Sequence, residues 1–245
     1  MTAWRRIQRT FVSNIDLGKL IILSRPPYSK IILLDGKHFQ IRKKPYTLYV
    51  AFDGMQRKPI CWILLPRYEL REGYDRILSF LKHQNSPISA IISDRHKGLE
   101  ASVKDYYLFV IHQKCAAHVL RDVYGKLGGR WFLATGYGKE IWPIMRKIAL
   151  GFYNEITARE YLQRMKRKYP DYRGAFFVLE KSLFGIYQFT KRPDLPIHRT
   201  SNLIENFMGH LEHRLKTFRG VKTPNSLIKI ITSLIILKYK RPTKK

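Results

Sequence analysis

The apolar pattern of this sequence changes its period once, near Cys115, and that change restricts the fold more than any other feature. Before it, short runs rich in β-branched and aromatic residues predict strands, with helical patterns on either side of the fourth run. The predicted strands are Ile31–Leu34, Tyr46–Phe52, Ile60–Leu65, Ile88–Ile92 and Tyr107–Ile111. After Cys115 the apolar spacing is helical throughout. The sequence therefore predicts an α/β fold with three antiparallel strands, then helix-linked parallel strands, then an all-helical segment.

The predicted helices beyond Cys115 fall into two groups, separated by a loop with two prolines at Lys191–Pro196. Two closing helices follow that loop, and Thr223 with Pro224 has the pattern of an N-cap and first helical residue. The four helices before the loop are Ala116–Lys126, Lys139–Phe152, Thr157–Tyr169 and Ala175–Ile186.

The charge of the chain points to a polyanionic partner. Its 245 residues carry 46 Lys and Arg against 18 Asp and Glu, a formal net charge of +28. Nucleic acid is the expected partner and an anionic membrane surface is the weaker alternative. The 45% of apolar residues excludes a disordered tail protein, and two cysteines exclude a disulfide scaffold.

Several segments bear on where the protein acts. The first ten residues are basic and lack the apolar core of a signal peptide, and the two cysteines, Cys61 and Cys115, suit a reducing compartment. The apolar stretch Leu227–Leu237 is too short to span a bilayer and is interpreted as a buried helix. We therefore expect an intracellular protein outside the membrane.

Two carboxylates follow buried strands. Asp35 comes directly after Ile31–Leu34, and Asp94 follows Ser93 at the end of the fourth strand. If both lie at one edge of the sheet, where ligands of α/β proteins bind, their mutual repulsion calls for a cation such as Mg²⁺. The alternative is that Asp35-Gly36 forms a turn and Asp94 caps the next helix.

A third acid lies beyond the proline loop. Asn202 and Glu205 have the spacing of a capping box, with Asn202 as N-cap, which would place Glu205 in the first helical turn without excluding a metal-ligand role. Glu212 shares that helix face and is the rival ligand.

These motifs together resemble the Mutator-like transposases, a superfamily that includes bacterial insertion-sequence enzymes. The resemblance covers roughly residues 31–240 and rests on four segments in order: Asp35-Gly36, Ser93 to Leu99, Gln113 to Asp122, and Arg199 to Glu205.

The resemblance implies an RNase H-like catalytic core, with a mixed five-stranded sheet, flanking helices and an all-α insertion. Asp35, Asp94 and Glu205 would be the catalytic DDE triad and the ligands of Mg²⁺ or Mn²⁺. The implied organisation is a short basic segment at 1–30, the first part of the core at 31–114, the insertion at 115–196, and the end of the core with a basic tail at 197–245.

The function expected from this resemblance is DNA transposition by phosphodiester cleavage and strand transfer. A nuclease that only hydrolyses and a non-catalytic DNA-binding descendant are the alternatives. The partners would be element ends and target DNA, with a homo-oligomer on the DNA and a cytoplasmic, nucleoid-associated location. Only residues 1–30 precede the first predicted strand, fewer than the family's usual N-terminal region, so we expect DNA binding with little sequence preference.

The Cys115-x-x-His118 pair matches a family motif and is expected to support the active site, together with Asn202. Zinc binding, or an ordinary helix start, is the alternative. The expected DNA contacts are Arg214, Lys216, Arg219 and Lys222.

A basic run, Arg164 to Lys168, has no obvious acidic counterpart in the sequence. Nearby, Trp131, Tyr137 and Trp142 fit helix core better than base stacking.

Overall fold

The computed structural model describes residues 15–24, 26–217 and 221–239, which form two compact units. The first unit comprises the chain up to Ile91, His96–Val110 and the residues from Asn202 onward; the second comprises Ile92–Arg95 and Ile111–Ser201. The six strands are β1 (Ile21–Ile22), β2 (Ile31–Ile41), β3 (Lys44–Asp53), β4 (Lys58–Pro66), β5 (Ala90–Ser93) and β6 (Ile111–Lys114).

The sheet has the strand order β1-β4-β3-β2-β5-β6, and the strands β1 to β4 with the start of β5 belong to the first unit. The pairs β1–β4, β4–β3 and β3–β2 are antiparallel, as predicted for the three long strands. The sheet has six strands where five were predicted, because β1, two residues long, lies within the segment taken for a separate basic N-terminus. Two-residue strands carry too little pattern to be recognised in a sequence.

Strand β2 is longer than its apolar run. It continues to Ile41, and Asp35 pairs with Val50 in the middle of the β2–β3 ladder. The two strands are joined by Arg42 and Lys43, whose φ angles are 50° and 65°. A two-residue hairpin turn with positive φ at both positions usually carries Asn or Gly. The prediction that β2 ends at Asp35, like the alternative that Asp35-Gly36 is a turn, is therefore wrong.

The next turn follows β3 at Asp53-Gly54, and the Asp53 carboxylate accepts hydrogen bonds from the backbone N–H groups of Met55 and Gln56 at 3.0 and 2.8 Å. The buried Asp53 side chain thus replaces the backbone partners that the turn lacks.

One face of this sheet is covered by helices α1 (Arg71–His83) and α2 (Lys97–Tyr106). Alternate residues of the strands, such as Ile32 and Leu34 of β2, form a buried core with Tyr74 of α1 and Leu99 of α2. Because strand side chains alternate between faces, Ile31, Leu33 and Asp35 point to the opposite side.

The opposite face of the sheet is covered by the closing helices α8 (Asn202–Thr217) and α9 (Pro224–Tyr239). The Phe207 ring of α8 lies 5.5 Å from that of Phe52 on β3, and the indole N–H of Trp62 on β4 donates to Thr232 of α9 at 3.1 Å. The predicted N-cap of α9 is confirmed, since the Thr223 hydroxyl accepts from the backbone N–H of Ser226 at 3.1 Å.

The second unit is mainly helical. The end of β5 continues into it, and β6 follows β5 in the strand order. Its strand β6 begins four residues after the predicted start, because the exposed Leu108 and Phe109 belong to the preceding turn. The helices are α3 (Ala116–Lys126), α4 (Gly129–Ala134), α5 (Gly136–Ala149), α6 (Glu155–Lys168) and α7 (Arg173–Ile186), with short 3₁₀ turns at Pro170–Tyr172 and Gln188–Lys191.

The core of the second unit is formed by one apolar stripe from each long helix, including Val119 of α3, Ile148 of α5, Leu162 of α6 and Leu179 of α7. The buried Gln113 of β6 fixes the end of α7 to this core. Its side chain donates to the Ile186 carbonyl at 2.8 Å and accepts from the Phe189 N–H at 2.9 Å.

In the part of the chain that the structure describes, no helix combines the length and the apolar character needed to cross a bilayer. The stretch Leu227–Leu237 lies in α9, where Leu227, Ile228 and Ile231 are buried, so its interpretation as a buried helix is confirmed.

We expect the substitution Gly73→Ala to destabilise the protein by about 1–3 kcal/mol, because an added Cβ would overlap a fixed ring. That Cβ would lie 2.5 Å from the Tyr49 ring, which is buried and whose hydroxyl accepts from the Leu70 N–H at 2.7 Å. The measurement is chemical denaturation of the full chain.

The matched control is Gly209→Ala, within the same unit. Apart from its chain neighbours and the backbone of its own helix, no described atom lies within 4 Å of an added Cβ at this position of α8. Replacing a helical glycine by alanine should there stabilise by about 0.5–1 kcal/mol. Equal effects of the two substitutions would contradict the close packing of α1 on β3.

Candidate functional site

Asp35 is held within the sheet of the first unit. It is half-buried, and its Oδ1 accepts a hydrogen bond from the Gly36 N–H at 2.9 Å. Asp35 pairs with Val50 of β3, and Val50 pairs with Trp62 of β4, which contacts α9. Cross-strand partners share a face, so Asp35 belongs to the face that α8 and α9 cover.

Glu205 lies in the first turn of α8, as predicted, and is half-buried. The helix begins at Asn202, which is exposed, so the prediction of Asn202 as N-cap is wrong by one residue. Ser201 precedes the helix instead.

Glu212, the rival of Glu205, is engaged elsewhere. Its carboxylate forms ion pairs with Lys37 of β2 at 2.7 Å and with Lys216 at 3.2 Å. Hydrogen bonds from Lys37 and then Lys216 hold the pKa of Glu212 below its ordinary value. A carboxylate neutralised by two lysines is poorly placed to attract a metal ion.

Helix α8 runs along β2 in the direction of the strand. Phe207 contacts Phe52, the partner of Leu33, whereas Glu212 contacts Lys37. Glu205 precedes Glu212 by about 10 Å along the helix axis, and Asp35 precedes Lys37 by about 7 Å along the strand. The helix turn that carries Glu205 therefore lies toward the half of β2 that contains Asp35.

Asp94 follows the last residue of β5, as predicted, and is half-buried. The alternative role as a helix cap is excluded, because α2 begins at Lys97 and His96 precedes it. The Ser93 side chain lies 2.7 Å from His112 Nε2 on β6, which fixes the end of the strand beside Asp94.

Cys115 connects three chain segments of the second unit. Its backbone N–H donates to the Ser93 carbonyl at 2.8 Å. Its sulfur accepts from the backbone N–H and the hydroxyl of Ser201 at 3.2 and 3.1 Å. The next residue, Ala116, donates its N–H to the Arg199 carbonyl at 2.9 Å. One buried residue thus fixes both the strand end before Asp94 and the segment that leads into α8.

The hydrogen bonds change the acidity of this thiol. Burial by itself raises the pKa of Cys115, but hydrogen bonds from His118 and Ser201 outweigh it, and the pKa lies below its ordinary value. Cys61 differs, because it is buried in the apolar core of the first unit and burial raises its pKa strongly.

The residues predicted to contact DNA have different environments. Arg214 and Lys222 are exposed, Lys216 is paired with Glu212, and Arg219 lies outside the described residues. In the second unit, Lys166 pairs with Glu180 at 2.5 Å and Lys168 with Glu140 at 2.6 Å. The expectation that nothing acidic balances the Arg164–Lys168 run is therefore wrong for these two lysines.

The three aromatic residues expected in the helical core also differ. Trp142 packs against that core and contacts the Tyr124 ring at 5.5 Å, as expected. Tyr137 is 58% exposed, although its ring meets that of Tyr169 at 5.8 Å. Trp131 is 81% exposed, so its assignment to the core is wrong. Its helix, α4, has six residues and buries Phe132 instead.

Glu69 is an acid of the first unit that sequence reasoning missed. Its side chain is 11% exposed and accepts a hydrogen bond from the Tyr74 hydroxyl. His38 Nε2 lies 3.5 Å and His96 Nδ1 3.9 Å from its oxygens. The only sequence feature that could have drawn attention to Glu69 is its position as a rare acid just before α1.

We expect the two thiols to titrate differently. In a Cys61→Ser variant the remaining Cys115 should ionise below the ordinary thiol pKa of about 8.5. In a Cys115→Ser variant, Cys61 should stay protonated until the fold is lost. The measurement is ultraviolet thiolate absorbance against pH.

The fold lowers the pKa of Cys115, so ionisation of this thiol raises the free energy of unfolding at pH values above the ordinary thiol pKa. This stabilisation is lost as the pH falls through the pKa of the folded state. Adding Ser201→Ala to the Cys61→Ser variant should raise the pKa of Cys115. Identical titrations in all three variants would contradict the hydrogen bonds to its sulfur.

Comparison with known proteins gives related transposases. Two curated relatives are each described as the transposase for insertion sequence element IS256 in transposon Tn4001, from Staphylococcus aureus and Enterococcus faecalis. Each is 21% identical over 258 aligned positions, covering 95% of this chain. The chain spans 62% of the length of these relatives.

A solved structure shares the fold. The Drosophila P element transposase strand transfer complex aligns with a TM-score of 0.53 at 11% identity, over 86% of this chain and 78% of that one. The fold is thus the RNase H-like α/β fold of transposases. The profile of the family described as "Transposase, Mutator family" matches residues 23–237, and the chain accordingly belongs to the Mutator family of transposases.

Proposed function

We propose that this chain is the catalytic part of a DNA transposase in which Asp35, Asp94 and Glu205 form a DDE triad. The observation that carries the proposal is the position of Asp35 within a central strand, on the sheet face along which α8 brings Glu205. Asp94 directly follows β5, the strand next to β2 in the sheet order. A strongly cationic chain supplies the affinity that a DNA substrate requires.

The residues present fit a hard divalent cation. All three are carboxylates, all are half-buried, and oxygen ligands of this kind are those that Mg²⁺ and Mn²⁺ prefer. When bound, such a metal would activate the attacking water or DNA 3′-hydroxyl and stabilise the leaving oxygen. Asp35, Asp94 and Glu205 would hold it.

The surrounding residues would position this triad. The backbone N–H of Gly36 orients the Asp35 carboxylate. The pair between Lys37 and Glu212 anchors α8 on β2 and keeps Lys37 engaged two residues from Asp35. In the second unit, Cys115 restrains the Ser93 carbonyl and Ser201, which flank Asp94 and the start of α8 in the chain. Hydrogen bonds to a buried sulfur are a means of fixing both segments with one side chain.

The reaction proposed is cleavage of a phosphodiester at an element end, followed by joining of the freed 3′-hydroxyl to target DNA, with several copies of the chain assembled on the DNA. The membership in a transposase family favours this over hydrolysis alone. A nuclease of the same fold would give nicked DNA without joined products, and a non-catalytic descendant would give neither.

The test is metal-dependent cleavage and joining of end-containing DNA. We expect Asp94→Asn to lower the cleavage rate at least about a thousandfold while leaving DNA affinity equal or slightly higher, since a carboxylate is lost. The control is Asp171→Asn, which removes the same charge from an exposed position of the second unit. Comparable cleavage by both variants would exclude Asp94 from the chemistry.

The two glutamates of α8 should behave differently. Glu205→Gln should eliminate metal-dependent cleavage, because a ligand is lost at the end of α8 that lies toward Asp35. Glu212→Gln removes a carboxylate already paired with two lysines and should change the rate less than about tenfold, a barrier change of roughly 1.4 kcal/mol. The measurement is single-turnover cleavage, and the reverse order of effects would show that the third ligand is misassigned.

A further inference from the structure

A cavity of about 490 Å³ is lined by residues of α8 and α9. Its floor is apolar. Phe207, Leu211 and Ile235 are buried there, and the Tyr239 ring lies 6.2 Å from that of Phe207. This volume is within the range of pockets that bind small organic groups.

The rim of the cavity is cationic. Its ionisable residues are His210 and Arg214 of α8 and Lys238 of α9, and no carboxylate is among the described residues that line it. Glu212, the nearest acid along α8, is engaged with Lys37 and Lys216. Burial first, and then the charges of Lys238, Arg214 and His213, hold the pKa of His210 below its ordinary value.

These surroundings define the chemistry of an occupant. The charges of Arg214 and Lys238 beside one opening repel each other, and an anion between them would relieve that repulsion. A flat apolar body would displace water from the aromatic and aliphatic floor. A nucleotide combines both properties, because its phosphate is anionic and its base is flat.

We propose that the cavity between α8 and α9 binds one nucleotide of a DNA strand, with the base against the half-buried Leu234 and Leu237 and the phosphate at Arg214 and Lys238. The inference rests on the proposed function, since it names a place where the DNA substrate is held. Glu205 lies on the same helix, seven residues before Glu212 and nine before Arg214. A strand bound here would therefore lie about 14 Å along the helix axis from Glu205.

The test is binding of a fluorescently labelled single-stranded oligonucleotide, measured by anisotropy without divalent metal so that no cleavage occurs. Arg214→Gln and Lys238→Gln should each weaken binding about five- to tenfold and lower the slope of log affinity against log salt by about one. The control is Lys104→Gln, which removes the same charge from an exposed position of α2 on the other sheet face. It should change affinity less than twofold.

A second arm tests the floor of the cavity. An oligonucleotide of the same length that lacks its bases should bind the wild-type protein about five- to a hundredfold more weakly, which is the effect of losing base contacts. In the Arg214→Gln, Lys238→Gln double variant, the difference between the two oligonucleotides should shrink. Unchanged thermal unfolding of each variant shows that the fold is retained.

Three outcomes overturn the inference. If Lys104→Gln weakened oligonucleotide binding as much as Arg214→Gln or Lys238→Gln, the loss of affinity would come from the overall positive charge of the chain and not from the cavity. Equal binding of the abasic strand would show that the floor takes no base. An undiminished base effect in the double variant would place the base elsewhere. Failure of the proposed function is distinguishable, because wild-type protein that binds as expected but never cleaves with Mg²⁺ would refute the transposase chemistry alone.

Discussion

The burial of the central strands on both faces is the constraint on which the first unit depends. Alternate residues of β2, β3 and β4 pack against α1 and α2 on one side and against α8 and α9 on the other. Asp35 interrupts the apolar run of β2, yet both strands of its ladder continue past it without a shift. A half-buried carboxylate is costly to desolvate unless it is hydrogen-bonded, and the backbone N–H of Gly36 donates to that of Asp35.

In the second unit, hydrogen bonds from buried side chains fix the positions of chain segments that the apolar core does not hold. The helices there provide an apolar core, but the segments that bear on the site are short and irregular. Cys115 and Gln113, both buried, satisfy the backbone groups of these segments. A sulfur atom is a weak acceptor, and two donors from Ser201 on one sulfur restrain its position more than either would alone.

The sequence predicted elements better than it predicted their limits. The antiparallel strands, α3, the capped start of α9 and the place of Glu205 in a first turn followed from local patterns, which the structure preserves. The full length of β2 did not, because its turn uses Arg42 and Lys43 at positive φ and the strand beyond Asp35 is held by pairing with β3.

The contacts around the proposed site could not be predicted from local sequence patterns either. Contacts between distant segments, such as Cys115 with Ser201 and Lys37 with Glu212, leave no periodic signal. The pairing of Lys166 with Glu180 on another helix and the exposure of Trp131 are likewise tertiary features. The three carboxylates were predicted because Asp35 and Asp94 follow apolar runs in the sequence and Glu205 has the spacing of a capping box, whereas Glu69 lies in a connection with no pattern of its own.

The discontinuity of the first unit has a consequence for how the chain is made. Phe52 and Trp62 are covered by α8 and α9, and these helices begin only at Asn202, after the second unit has been synthesised. At a translation rate of about 5–20 residues per second, roughly 7–27 seconds pass between completion of β4 and emergence of the helices that cover it. During that interval one apolar face of the nascent sheet has no partner from its own chain. A chain that ends before Asn202 therefore lacks the helix whose Thr232 accepts the hydrogen bond from Trp62.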